Sequence, residues 1–153
     1  MNLAHIVSEA HNYRLGWYDL DQTILVLEIL GAWTWQEALE VILEKVRVCA
    51  LERAPTPIYI VHIYHTRHFP QERGAIQALR RMTAFDVPNE ALIILIRQSS
   101  ALATFLDIAL RAFHTFHYLG KIRSAQNFEQ ALALIQADKN ARLQHEQSVD
   151  KKS

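Results

Sequence analysis

At 153 residues, half of them hydrophobic, the chain is long enough to bury one sizeable core and too short for two ordinary domains. Sixteen basic and sixteen acidic side chains cancel, which excludes the overall field that would draw nucleic acid or an anionic membrane surface. The lone cysteine, Cys49, excludes an internal disulfide, and no apolar run approaches the roughly 20 residues that span a bilayer.

The amino terminus, with His5, Glu9 and His11 around a short apolar stretch, does not read as a signal peptide, so a cytoplasmic protein is expected. Tyr13, Leu15 and Trp17 alternate with Arg14, Gly16 and Tyr18, and after Asp19-Leu20-Asp21-Gln22 comes the β-rich run Thr23 to Leu30. This spacing predicts a hairpin whose first strand is an exposed or half-exposed edge. Gly31-Ala32-Trp33 breaks the second strand, and Thr34 with Glu37 three residues on forms a capping box at the start of a helix. Trp35, Ala38, Leu39, Ile42, Val46, Cys49 and Ala50 make its inward stripe, with Gln36, Glu40, Glu44, Arg47 and Glu52 on the other side. Cys49 is therefore a core residue, and Pro55 and Pro57 end the helix.

Ile58 to Tyr64 and Ala91 to Ile96 are short, almost wholly apolar and β-branched, as strands covered on both faces must be. Between them Gln71 to Phe85 carries Ala75, Ile76, Leu79 and Met82 on one stripe and stops at Asp86-Val87-Pro88-Asn89, giving a right-handed strand-helix-strand crossover. After Ser99 or Ser100 as a cap, Leu102, Phe105, Leu106, Ala109, Leu110 and Phe113 mark a third helix. A fifth strand is expected within His117 to Ser124, and Asn127 caps a last helix with Phe128, Ala131, Leu132 and Ile135 inward. The polar run Lys139 to Ser153 reads as a frayed or disordered tail, which leaves residues 1–138 as a single domain. The expected fold is α/β, a mixed, mainly parallel sheet of about five strands with about four helices, in the order β-β-α-β-α-β-α-β-α.

That order, the Trp17-Tyr18-Asp19 hairpin, Gly31-Ala32-Trp33-Thr34-Trp35-Gln36-Glu37 and Asn127-Phe128-Glu129-Gln130-Ala131-Leu132 together resemble small bacterial STAS-like proteins, the sulfate transporter and anti-sigma factor antagonist domains. The resemblance covers about Tyr13 to Ala137. It implies a non-enzymatic regulatory protein that docks a kinase-like or sensor protein through the loop after the third strand and the start of the second helix. On this chain those positions are His65, Thr66, Arg67, His68 and Arg73. In that family a serine or threonine in an Asp-Ser-Ser-Gly-like setting is phosphorylated to switch docking off. Here Tyr64 to Arg73 holds no serine, and Thr66 is the one Ser/Thr hydroxyl that could carry the phosphate. A phosphate of up to about two negative charges would find Arg67, Arg73 and a helix amino terminus nearby; the bland role of Thr66 is a turn or cap residue.

Other chemistry has less behind it. His62, His65 and His68 lie within seven residues, and His114 and His117 come later in the chain. Strand alternation turns His62 and His65 to opposite sides, and no acidic residue sits within the cluster, so neither metal nor cofactor is expected. The four glycines, at 16, 31, 74 and 120, form no phosphate-cradling loop. Ser99-Ser100 lacks a glycine-flanked elbow. Glu37 and Glu40 read as structural, and Trp33 and Trp35 as staple and core residues that could also line an apolar pocket with Phe69. The alternative function is a carrier of a small or lipid-like ligand held at the open strand ends, with a histidine-based enzyme third. An exposed first strand bearing Tyr13, Trp17 and Tyr18 further predicts a homodimer.

Overall fold

The computed structural model describes residues 1–66, 70, 74–83, 87–97 and 121–150. In these, strands β1 (His5–Glu9), β2 (Tyr13–Trp17) and β3 (Ile24–Ile29) precede a helix α1 over 35–52; β4 (Ile58–Tyr64), α2 (Ala75–Thr83), β5 (Glu90–Arg97), β6 (Ile122–Ala125) and α3 (Phe128–Asp150) come after it. The six strands form one sheet in the order of the chain, β1-β2-β3-β4-β5-β6. The β1/β2 and β2/β3 pairs are antiparallel, and β3 through β6 are parallel.

Period-two alternation sorts the strands onto two faces. Leu25, Leu27, Ile58, Ile60, Ile93 and Leu95 join Trp35, Leu39, Cys49 and Ala50 of α1 and Ala78 of α2 in one core. Ile24, Val26, Tyr59, Val61, Ile63, Ile94 and Ile96 meet Ala131 and Ile135 of α3 in the other. Two crossovers of the same hand, each moving one strand along the sheet, put α1 and α2 on a single side. That leaves the second face to α3.

Local chemistry sets the connections. The Asp19 carboxylate accepts from the Thr23 amide at 3.0 Å and hydroxyl at 2.6 Å and from the Ile24 amide at 2.8 Å, closing the β2–β3 turn in which Gln22 takes the left-handed conformation. Thr34 and Glu37 form the expected capping box. The buried Asn89 amide donates to the carbonyls of Ala50 and Thr56 at 2.6 and 3.0 Å, tying the end of α1 to the start of β5.

Four expectations change. The sheet has six strands, because His5–Glu9 pairs with β2. Only Ile6 and Val7 are apolar in that segment, too few to show a period. Tyr13–Trp17 is consequently no edge: β1 pairs along it, and Leu15 and Trp17 are buried in the core on the α1 side, so the strand edge invoked for a homodimer is occupied by the chain's own first strand. Residues Val41–Val46 of α1 are π-helical; the expected inward residues Val46, Cys49 and Ala50 are buried, and Arg47, directly after this wider turn and assigned to solvent, is buried with them. The polar run from Lys139, expected to fray, continues α3 to Asp150. Three helices are seen among the described residues; the helix expected around Leu102 to Phe113, with its cap at Ser99 or Ser100, lies outside them, as do His114 and His117. The last strand is Ile122–Ala125, at the end of the expected window. No described helix is long and apolar enough to cross a membrane.

Candidate functional site at the carboxyl edge

In an open parallel sheet, ligands and partners are met at the carboxyl ends of the strands. Here that edge holds a charged cluster built across three strands. Glu28 belongs to β3 and shares the parity of Ile24 and Val26, so it points to the α3 side, and it is only 2% exposed. Arg14 stands directly opposite on β2 and donates from both Nε, at 2.7 Å, and a terminal nitrogen to Glu28 Oε2. The other carboxylate oxygen meets His65 Nε2 at 2.9 Å. The His65 amide also extends the β3–β4 ladder by donating to the Ile29 carbonyl at 2.9 Å. Backbone and ring are thus both anchored, while 40% of the side chain stays open to solvent.

Beside this cluster lies a cleft of about 260 Å³ whose walls include Ile63, Ile96, Phe128, Gln126 and Asn127 with Glu28 and His65. The start of α3 forms its far side. Asn127 Oδ1 accepts from the Gln130 amide at 2.9 Å, and Gln130 Oε1 accepts from the Gln126 amide at 2.7 Å, a reciprocal cap that satisfies two orphan donors. Phe128 is held edge-on by Tyr18 with ring centroids 4.8 Å apart.

Of the residues singled out from the sequence, His65 and Thr66 sit at this edge, directly after β4, and Thr66 is half-buried. Arg67, His68 and Arg73 lie outside the described residues, as does Phe69. His62 is turned to the opposite face. Its register partners are Leu27 and Leu95, it is 7% exposed, and its Nε2 has no hydrogen-bond partner among the described residues. Burial pushes its pKa down to about 4, so the ring is neutral. Among the described residues no three His, Cys, Asp or Glu side chains are grouped to hold a metal ion.

The expectation that no acid accompanies the histidines is corrected for His65, because β3–β4 pairing brings Glu28 to it from 37 positions away. A sequence signal existed: Glu28 is the sole charge between Thr23 and Leu30. Trp33 and Trp35 are core residues, edge-to-face at 4.9 Å, and Trp33 with Tyr64 lines a water-sized void of about 20 Å³; burial pushes the Tyr64 hydroxyl up to about 12. Cys49 is buried, which pushes its thiol up.

No family model matches the chain, and neither a curated protein nor a solved structure does.

Proposed function

We propose that the protein is a non-enzymatic regulatory module of the STAS type that docks a partner protein, kinase-like or sensor in kind, on the carboxyl edge of its sheet around His65 and Thr66. The observation that carries the reading is the Glu28 cluster. A buried ion pair adds little stability over apolar packing and is better accounted for by what it positions; here it holds His65 rigid at a solvent-facing rim. A rim side chain whose ordering entropy is already lost in the free protein binds at lower cost. Thr66, next to it, is where a charge-adding modification would act on the same surface. The test is affinity capture from the native cell with His65→Ala and Thr66→Glu variants. A specific protein recovered by the parent and reduced at least tenfold by either variant, with unchanged far-ultraviolet circular dichroism, supports the reading; recovery indifferent to both substitutions sinks it.

A second reading, a small-molecule carrier, is favoured by the cleft of about 260 Å³, whose walls combine Ile63, Ile96 and Phe128 with a few polar groups. Native mass spectrometry of the freshly purified chain distinguishes the two through a copurifying ligand.

A further inference from the structure

The opposite, amino end of the sheet carries a second and larger cleft, of about 640 Å³, between the strand starts and the part of α3 that overhangs them. That size falls within the range of small-molecule sites. Its wall on the helix side presents Lys139, Arg142 and His145, spaced three apart and so on one line of the helix. The strand side offers Thr23, Thr56 and Tyr59 with Pro57, and Leu143 completes the apolar part.

The cationic groups are held in place. Lys139 Nζ donates to the Thr23 hydroxyl at 3.1 Å and lies 5.3 Å from the centre of the Tyr59 ring; among the described residues it has no carboxylate partner. Arg142 uses Nε on Asp138 at 2.5 Å, also meets the Tyr59 hydroxyl, and is about half exposed, so that part of its guanidinium still faces the cleft. The Tyr59 hydroxyl donates to the same Asp138 oxygen at 3.1 Å, and burial with that bond pushes it up to about 12. It therefore stays a neutral donor. The acids of this region, Asp138 and Asp19, are engaged, Asp138 through Oδ2 by Tyr59 and Arg142 and Asp19 by Thr23 and Ile24, and neither lines the cleft. The cavity thus shows one sign of charge on one wall and apolar surface elsewhere.

We infer that this amino-edge cleft binds a single-chain anionic amphiphile, its carboxylate or phosphate monoester head on Lys139 and Arg142 and its apolar body along Pro57, Tyr59 and Leu143. The inference is independent of the docking reading, which concerns the other end of the strands. Guanidinium and ammonium together favour an oxyanion through charge-assisted hydrogen bonds, and the apolar wall selects a head attached to hydrocarbon over a free anion.

The same head chemistry occurs on free metabolites and on membrane lipids, and the test separates them. The full-length chain is titrated with octyl phosphate below its micelle concentration, with octanoate and with inorganic phosphate, by calorimetry and amide chemical shifts. Octyl phosphate should bind with shifts confined to Thr23, Thr56, Tyr59 and residues 138–145, at least tenfold more tightly than inorganic phosphate. Lys139→Gln should weaken it roughly tenfold, the loss of one charged hydrogen bond. Leu143→Asp, at a position 55% exposed where folding is not at stake, should abolish it. Cosedimentation with phosphatidylglycerol vesicles, lost in Leu143→Asp, assigns the head to a bilayer lipid; binding of the monomeric amphiphile without cosedimentation assigns it to a free metabolite. No binding at millimolar octyl phosphate, shifts elsewhere, or binding indifferent to both substitutions overturns the inference.

Discussion

Replacing Glu28 by Gln tests the carboxyl-edge cluster directly, because the shape is kept and the charge removed. Breaking a fully buried pair costs about 3–5 kcal/mol, since it strands the partner's charge in a dry site. Glu28 is dry, but Arg14 is 26% exposed and partly screened by water, so the expected loss is about 2–3 kcal/mol. At a urea slope of about 2 kcal/mol per molar the unfolding midpoint should fall by roughly 1–1.5 M. Arg142→Gln, which breaks the exposed Asp138 pair on α3, is the reference and should cost no more than about 0.5 kcal/mol. The double variant Arg14→Leu with Glu28→Leu leaves no charge unpaired and should return to within about 1 kcal/mol of the parent. The assay is equilibrium urea denaturation followed by circular dichroism. A loss for Glu28→Gln no larger than that of Arg142→Gln would refute the reasoning, because it would mean the cluster is solvated and anchors nothing.

The packing makes three further outcomes testable. His62 titrates near 4 when folded and near 6.5 when unfolded, so the unfolded chain takes the proton first. The stability it contributes is complete above pH 6.5 and is lost as the pH falls to 4, by an amount on the order of 3 kcal/mol; His62→Leu should remove about one proton's slope from the acid limb of the stability curve, and an unchanged limb would disprove the assignment. Asn89→Ala, which removes the side-chain donor shared by the Thr56 carbonyl and the Ala50 carbonyl, the latter keeping the Arg53 amide, should cost about 1–3 kcal/mol in the same denaturation assay. Gly16→Ala places a Cβ 2.5 Å from the His5 carbonyl oxygen and 2.8 Å from Leu3 Cδ1; β1 should detach, seen as faster amide exchange over residues 4–9 with little change in β3 and β4.

What could be read from the sequence was what neighbouring residues decide among themselves. Thr34 and Glu37 lie three apart and cap the same turn, Asp19 reaches an amide four residues on, and the apolar runs at Ile58 and Ala91 declare strands covered on both sides. β1 carries no such pattern, for His5–Glu9 is half polar and its place depends on β2. Gly16 was the available hint: a glycine inside an aromatic-rich strand marks a close backbone approach, here that of β1 itself. Arg47 departs from its expected side directly after a π turn, a local widening that a constant helical period does not foresee.

The two sites divide along the same line. The resemblance points to His65 in the loop after an apolar strand, but its partner Glu28, and the Arg14 that pairs with Glu28, come from other strands. Glu28 could have been placed by parity alone: it succeeds Ile24 and Val26 at intervals of two, so a charge there must face the α3 side and needs a cation across the ladder, and Arg14 is the basic residue in the preceding strand. The amino-edge cleft had no such signal. Composition weighed Lys139 to Ser153 as frayed or disordered, yet Ala, Leu, Gln, Lys and Arg are good helix formers, and the start of that stretch is fastened by Lys139 to Thr23, 116 positions back, and by the preceding Asp138 to Tyr59, 79 back. Those bonds exist only once β3 and β4 have paired, which places both ring and hydroxyl under the helix; the groove they leave beneath α3 is a product of the assembled sheet rather than of any one segment.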